Sequence, residues 1–485
     1  MATSRSVRFV QCSLRCMHNS QWRRGAAQAL PPLPAVAHGF LLLHAVPELA
    51  TIAAAEARAI RALPSLNQVL QKHCRNIRDR ISEAQYKTQM RAIIDAEVLL
   101  LAFGVVAKLV IVAAVGATAA KRPRDRPILS KDAITRISRL SAAVMIPSLI
   151  VSTTGASISA KLLKETVLVV VFSLVTIGVG LLSMQLWGRL FVPASQRRSS
   201  LWQVASLAAA FPNIVAIPLV AVVSICERRD VRADYDDDIA RCARTGSAIV
   251  FVGSFAWTAI FFTYGAHRLR TIEAAESGAP APKPAEAVGS CVREPINAAL
   301  AVGTVIGLIA PLRRGLFSVG GRSPLRIIGG TVELLASPTV CVAVLLVGAS
   351  LANVDLNALA APDKSARDAE APPPPPAKRS VWGAVYAVRG IISGFVVVRL
   401  LVVPAIVGGL EALATATIPI PQARLGRAVL LISSGMPTAQ IMIVLLHKFG
   451  LSQQASELSF LFVFQYAASI PTMTALISSV LNRVY

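Results

Sequence analysis

Asn213 is the residue of this sequence whose type and surroundings most strongly suggest ligand binding. It lies inside the long apolar run 201–226, between Pro212 and Pro218. Each proline removes a backbone donor and clashes with the carbonyl one turn earlier, so the two together predict an interrupted helix. An amide can donate to a carboxylate, and the amino-terminal end of a half-helix beside it favours an anion. We therefore predict a substrate site at Asn213; the alternative is that Asn213 only satisfies backbone groups that the prolines leave unpaired.

A second apolar run, 428–447, is interrupted in the same way by the segment SSGMPTAQ, which contains Pro437 and Gln440. In lipid, a broken helix is tolerated only where protein or a water-filled cavity covers the freed backbone groups. Many transporters build their substrate site from half-helices that meet near the middle of the membrane. We therefore predict that Pro437 and Gln440 lie in the same site as Asn213.

Three ionisable residues, Lys108, Glu333 and Arg399, lie within apolar runs. Such residues are costly in hydrocarbon and usually face the interior of a bundle or a cavity. Lys108 or Arg399 could supply positive potential for an anionic substrate, and Lys108 and Glu333 could form a coupling pair. The alternative is that these side chains pair with each other or reach towards the membrane surface.

The composition indicates a polytopic membrane protein, because 54% of the 485 residues are hydrophobic and only 15% are charged. The formal charge of +23 does not indicate nucleic-acid binding, since the basic residues lie in loops and the amino-terminal extension; we expect contact with anionic lipid instead. Seven cysteines without a CxxC pair give no metal-like spacing. We predict no metal, no cofactor and no enzymatic activity, because no catalytic motif and no sizeable soluble domain is present.

Ten apolar runs predict an all-α protein with ten transmembrane helices. They cover 98–117, 137–156, 167–187, 201–226, 245–264, 296–312, 327–351, 390–410, 428–447 and 458–481. The fourth run of each set of five is the broken one, and the second run of each set has a proline near its middle. An odd number of spans per unit gives the two copies opposite orientations, so we predict an inverted repeat with broken crossing helices 4 and 9.

The predicted domains follow from this repeat: a basic extension 1–95, a first five-helix repeat 96–265, a hydrophilic loop 266–295 and a second repeat 296–485 with a Pro-rich loop at 355–383. The first 47 residues contain arginine but no Asp or Glu, which resembles a targeting segment; a disordered tail or a misplaced gene start is the alternative. Placing the basic loop 121–136 in the cytoplasm follows the positive-inside rule and puts the Asp-rich loop after span 4 outside.

The order of motifs resembles the auxin efflux carrier family, specifically its short-loop PIN-LIKES branch. The matching segments run from about residue 95 to the carboxyl terminus and include AKLVIVAAVGA, ILSKDAITRISRL, SPLRIIGGTVELLASPTVCVAVLLVGASL, VVVRLLVVPAIVGG and FVFQYAASIPTMT. The resemblance implies the bile-acid and sodium/proton-antiporter-like fold, in which spans 3–5 and 8–10 move against spans 1–2 and 6–7. It also implies transport of indole-3-acetate and residence in the endoplasmic reticulum membrane; the plasma membrane, or an organelle if the extension is a transit peptide, is the alternative. The matching family loop carries two cysteines, so a disulfide between Cys226 and Cys242 is expected where that loop faces an oxidising lumen, with two free thiols as the alternative.

The crossing is where the sequence departs from that family. The family's GNxGNxPL is PNIVAIPL here, which keeps Asn213 and Pro218 but has Ala216 in place of the second asparagine. We predict a facilitative carrier for a small organic carboxylate, auxin-like, in contact with the lipid bilayer, with a homodimer left open. The alternative is a Na⁺- or H⁺-coupled symporter or antiporter of the same fold, although neither crossing segment contains Asp or Glu.

Overall fold

The computed structural model of the protein describes residues 103–104, 106–121, 127–280, 294–317, 323–355, 381–417 and 424–485. The predictions for the basic extension and for most of the Pro-rich loop lie outside these residues. The described chain is helical and forms no β-strand.

The main helices are numbered here in chain order. They are α1 (106–121), α2 (Lys131–Ser157), α3 (Val167–Phe191), α4 (Ser200–Ala210), α5 (Ala216–Cys226), α6 (Ile239–Ser277), α7 (Pro295–Leu308), α8 (Ala310–Phe317), α9 (Leu325–Ala352), α10 (Arg389–Thr417), α11 (Arg424–Ser434), α12 (Ile441–Lys448) and α13 (Ser452–Val484).

Six of the described helices are long and apolar enough to cross a membrane, namely α2, α3, α6, α9, α10 and α13, and the bent pair α7–α8 gives a seventh. This confirms the prediction of an all-helical, integral membrane protein with several spans. The ten-span inverted repeat stays a prediction. Predicted spans 4 and 9 appear as the shorter pairs α4–α5 and α11–α12, as expected for interrupted helices.

Two boundaries differ from the sequence-based expectation. The apolar run 296–312 is not one straight helix, because α7 ends at Leu308 and α8 leaves it at an angle of 105°. Pro311 fits the break, since it has no N–H to donate to the preceding turn and lies in the first turn of α8, where that N–H is not needed. Helix α6 also continues to Ser277, well into the predicted loop 266–295, because this stretch lacks a helix breaker until Gly278, which ends the helix with φ of +69°.

Burial separates the helices that form the interior from those that face outwards. Almost every residue of α4 and α12 is buried. In contrast, α3 and α9 expose large apolar side chains, with Leu182 73% exposed and Ile327 76% exposed. Continuous apolar exposure of this kind is unusual on soluble proteins and fits contact with lipid. The broken helices therefore lie inside the bundle, where protein can cover their interrupted backbone.

Close backbone approach by glycine occurs at matching places. A Cβ on Gly307 of α7 would lie 2.9 Å from the carbonyl oxygen of Ile158, beside α2. A Cβ on Gly348 of α9 would collide with the carbonyl of Ala113 in α1. The pair α7–α2 (spans 6 and 2) and the pair α1–α9 (spans 1 and 7) are thus both packed tightly through glycine.

Candidate functional site

Both broken helices are interrupted at the prolines that predicted the breaks. Helix α4 ends at Ala210 and α5 begins at Ala216, with Pro212 between them. Pro218 does not break a helix; it lies in the first turn of α5, where a missing backbone N–H has no intrahelical partner to lose. Helices α11 and α12 are separated in the same way by the segment that contains Pro437.

The two breaks meet and satisfy each other's backbone. Pro212 and Thr438 form an isolated antiparallel bridge. The N–H of Asn213 donates to the carbonyl of Pro437 at 2.7 Å, and the N–H of Ala439 donates to the carbonyl of Phe211 at 3.0 Å. These reciprocal hydrogen bonds use backbone groups that helix interruption would otherwise leave unpaired in the bundle interior. The structure therefore brings Pro212, Asn213 and Pro437 together at one crossing.

The two predicted amide side chains also meet there. Asn213 Nδ2 donates to Gln440 Oε1 at 2.9 Å, and the contact is buried. No described residue accepts a hydrogen bond from Gln440 Nε2, so the N–H groups of this amide are available to a ligand. A buried amide such as that of Gln440 can bind a carboxylate with its N–H groups.

Helix α13 supplies side chains that hold the second break, and the sequence analysis did not select them. Gln465 Oε1 accepts from the backbone N–H of Thr438 at 2.8 Å, and its Nε2 donates to the carbonyl of Phe395 at 2.9 Å. Tyr466 donates its hydroxyl to the carbonyl of Thr438 at 2.8 Å and lies within hydrogen-bonding reach of the Asn213 side chain. The available signal was the amide of Gln465 in the middle of an apolar span, where a polar side chain is costly unless it faces the interior of the bundle.

Arg399 is the charged residue of the crossing. Its side chain is fully buried and comes from a π-helical segment of α10, Val398–Val402, a type of bulge that often marks functional sites. Nε donates to the carbonyl of Met436 at 2.7 Å and Nη2 donates to the carbonyl of Ser434. It therefore caps the carboxyl end of α11 with a positive charge. Among the described residues Nη1 has no hydrogen-bond partner and no carboxylate pairs with the guanidinium.

Lys108 and Glu333 take no part in the hydrogen bonds that build the crossing. Glu333 pairs with Arg326, two turns away on the same helix, at 2.8 Å, so it does not form the suggested coupling pair with Lys108. An arginine on the same helix face satisfies the carboxylate at lower cost than a partner on another helix would.

Two further buried carboxylates in the bundle, Glu294 and Glu411, bind basic side chains and were also missed by the sequence analysis. A third, Glu457 of α13, is 6% exposed and accepts from Gln453 at 2.9 Å. Glu411 of α10 is 3% exposed and accepts from Arg427 at 2.6 Å and Arg483 at 3.2 Å. Glu294 accepts from Arg270 and, at 2.5 Å, from Lys448. Glu294 and Glu411 are thus each neutralised by two basic side chains.

A small cavity adjoins the crossing on the side of α3, α6 and α11. Its volume is about 20 Å³, enough for about one water molecule. Pro212 and Ile214 of the crossing form part of its wall, together with the polar residues Ser173, Thr176, Ser433 and Ser434 and the ring of Trp257. A carboxylate with a hydrocarbon body does not fit this space without movement of the helices.

The loop between α5 and α6 is closed by a disulfide between Cys226 and Cys242, whose Cα atoms are 5.7 Å apart. Ion pairs brace the same loop, including Arg228 with Asp230 at 2.6 Å. Partial burial raises the pKa of the Asp230 carboxyl, but the hydrogen bond and charge of Arg228 outweigh it and hold this pKa below its usual range. No group of His, Cys, Asp and Glu in the described part of the chain is arranged to hold a metal ion.

The chain belongs to the membrane transport protein family, whose sequence profile matches residues 101–477. This confirms the coarser prediction of a membrane transporter related to the auxin efflux carriers, while the PIN-LIKES branch stays a prediction. The match covers every helix that contributes to the crossing. No curated protein matches the chain.

Proposed function

We propose that this membrane transporter is a facilitative carrier for a small organic anion, an auxin-like carboxylate, bound at the crossing of α4–α5 and α11–α12. Asn213 and Gln440 bind the carboxylate. Pro212 and Pro437 lie in the two breaks beside it, and Pro218 lies in the first turn of α5. Arg399 supplies positive potential at the crossing, because no described carboxylate forms an ion pair with it.

The observation that carries this proposal is the charge balance at the crossing. Helices α5 and α12 direct their amino-terminal, positive ends towards it. The negative, carboxyl ends of α4 and α11 also lie at the crossing. That of α11 is capped by Arg399, and no described carboxylate forms an ion pair with this guanidinium. A buried cation without a counter-ion is expensive, so the site gains stability when an anion enters.

The same charge balance disfavours coupling to Na⁺ or H⁺. Cation sites use carboxylate or other oxygen ligands, and neither break contributes Asp or Glu. Of the three buried carboxylates of the described chain, Glu294 and Glu411 are each held by two basic residues. The third, Glu457, accepts from Gln453 and not from a residue of either break. The membrane potential alone is worth about 2.3 kcal/mol per charge per 100 mV, which is enough to drive an anion.

Alternating access is proposed to occur by an elevator-type movement within a ten-span inverted repeat. The reciprocal backbone bonds at the crossing and the matched glycine contacts of α7–α2 and α1–α9 support such a repeat. In this mechanism α3–α6 and α10–α13 move together against α1, α2 and α7–α9. The cavity accommodates only about one water molecule. This size fits a closed state of the carrier without bound substrate.

We further propose that the carrier resides in the endoplasmic reticulum membrane, with the α5–α6 loop in the lumen. A disulfide between Cys226 and Cys242 is stable in an oxidising compartment and is reduced in the cytosol. The asymmetry of basic residues between the loops supports the same orientation.

The test is uptake of small carboxylates into liposomes that contain the purified full-length chain. Indole-3-acetate, benzoate and an aliphatic carboxylate are offered with an inside-positive potential, with and without a Na⁺ or pH gradient. We expect uptake that follows the potential and is unchanged when the Na⁺ or pH gradient is removed. Protein-free liposomes measure passive entry of the neutral acids. Absence of carboxylate uptake above this background would overturn the anion carrier, and uptake that requires a gradient would overturn the uncoupled mechanism.

A further inference from the structure

Among the described residues, the indole N–H of Trp257 is a buried donor without a hydrogen-bond partner. The side chain, on α6, is 7% exposed, and among the described residues nothing accepts a hydrogen bond from Nε1. Leaving such a donor unpaired costs about 1–3 kcal/mol. A phenylalanine would fill this place without that cost. We therefore expect the N–H to donate to an acceptor on a bound ligand.

The ring of Trp257 is held in place by aromatic neighbours. It stacks on Phe261 with centroids 4.5 Å apart and meets Phe211 edge-on at 5.8 Å. Phe211 is itself part of the crossing, because its carbonyl accepts from Ala439. Trp257 is therefore a pre-oriented donor connected directly to the broken helices.

Trp257 also lines the cavity beside the crossing, where three of the four serine and threonine hydroxyls have used their protons. The hydroxyls of Ser173 and Thr176 each donate to a carbonyl of their own helix at 2.7 Å, and that of Ser434 does so at 2.6 Å. They present lone pairs to the cavity, whereas the indole offers only a proton. A ligand oxygen that carries negative charge is the acceptor that matches this donor best.

We propose that Trp257 is a specificity-determining residue whose Nε1–H donates to a carboxylate oxygen of the substrate, in the cavity between α3, α6 and α11. This inference rests on the proposed anion transport, and it adds a donor in the cavity that Pro212 and Ile214, the neighbours of Asn213, help to line. The cavity widens for the substrate through local shifts of α3, α6 and α11 within the group of helices that moves together. The aromatic rings of Trp257, Phe211 and Phe261 then border its apolar part.

The test compares Trp257→Phe with Trp187→Phe in the full-length chain, with benzoate uptake into liposomes as the readout. Trp187 is the matched control, since its Nε1 already donates to the carbonyl of Gly390 at 3.1 Å. We expect Trp257→Phe to raise the KM for benzoate about tenfold, leave kcat unchanged and leave the melting temperature equal or higher. Trp187→Phe is expected to lower the melting temperature and leave KM unchanged.

A second substitution protects the test against misfolding. Replacing Trp257 with its isosteric analogue, in which sulfur takes the place of the indole N–H, keeps the ring shape and stacking and should also raise KM. A KM within twofold of wild type for a folded variant would overturn the proposal, whether or not stability falls, because it would indicate a water-binding or structural role. Wild-type liposomes without any carboxylate uptake would instead overturn the proposed function itself.

Discussion

Asn213 Nδ2 donates to Gln440 Oε1 at 2.9 Å, so one side chain from each broken helix joins the two breaks. Both residues are buried, at 6% and 7% exposure. The Nε2 group of Gln440 still has its donors available, and a carboxylate can bind it without separating the two helices. The Asn213–Gln440 pair thus joins the two broken helices and is also the proposed contact for the ligand.

Asn213→Ala is expected to reduce carboxylate uptake at least tenfold while the protein still folds and inserts. The lost hydrogen bond is worth only about 1 kcal/mol of stability, because the backbone bonds between the breaks are kept. Uptake into liposomes and the melting temperature in detergent measure the two effects. Gln454→Ala is the control, since this amide is similarly buried and donates to Ser200 at 3.1 Å in a different contact. Wild-type uptake by Asn213→Ala would refute the site.

Arg399→Gln is expected to abolish uptake of the anion and to lower stability by about 3 kcal/mol or more, because the carbonyls of Ser434 and Met436 lose charged donors. Arg399→Lys keeps the charge but cannot reach both carbonyls, so partial uptake is expected. Arg313→Gln is the matched control, because Arg313 also donates to two carbonyls, those of Ile158 and Gly307, at 3.1 and 2.8 Å. If Arg399→Gln and Arg313→Gln impair uptake equally, the electrostatic role of Arg399 is wrong.

The breaks could be predicted from the sequence because proline acts locally. Pro212 and Pro437 each remove a backbone donor at a break, although proline alone does not decide a break, since Pro471 lies inside α13. Two interruptions in lipid must cover each other. The partners of the breaks could not be predicted this way. Gln465 on α13 and Arg399 on α10 both bind the break between α11 and α12. The spacing of these residues in the sequence does not predict which backbone groups they bind.

The same limit applies to the carboxylates. A pair between Glu333 and Lys108 was one possibility, but Glu333 binds Arg326 on its own helix. Glu294 and Glu411 bind Lys448 and Arg483, which lie on helices far away in the chain. Such pairs depend on the angular position of each helix in the bundle. Apolar runs give the number and approximate length of helices but not their rotation.

Gln465→Leu is expected to destabilise the protein by about 2–3 kcal/mol, because the N–H of Thr438 and the carbonyl of Phe395 each lose a buried partner. Tyr466→Phe removes one hydrogen bond to Thr438 and should cost about 1 kcal/mol. Thermal unfolding in detergent measures both changes. Tyr264→Phe, at a position that is 41% exposed, is the control and should change the melting temperature little. A Gln465→Leu protein as stable as wild type would mean that α13 does not support the break.

The double substitution Cys226→Ser with Cys242→Ser is expected to lower the stability of the α5–α6 loop by about 3 kcal/mol, the value typical for closing a loop of this size; the two cysteines are 16 residues apart. Reductant should shift the melting temperature of the wild type but not that of the variant. In membranes from cells, alkylation of these two cysteines should require prior reduction. Alkylation without reduction would place the loop in a reducing compartment and contradict the proposed orientation.

Glu294→Gln is expected to speed substrate exchange several-fold without changing the dissociation constant. Glu294 precedes α7 and binds Lys448 at the end of α12, so a movement of α12 against α7 must break this ion pair. Removing its charge lowers the barrier for that movement, while the amide pair and Arg399 at the crossing stay intact. Counterflow of labelled benzoate at saturating concentration measures the exchange rate.

Glu411→Gln is the control for this prediction. Glu411 also binds two basic side chains, but its partners Arg427 and Arg483 lie on α11 and α13, which are proposed to move together with α10. This substitution should lower the melting temperature and leave the exchange rate unchanged. Faster exchange in Glu411→Gln than in Glu294→Gln would contradict the proposed division into moving and static helices, because the sliding interface would then run between α10 and its neighbours.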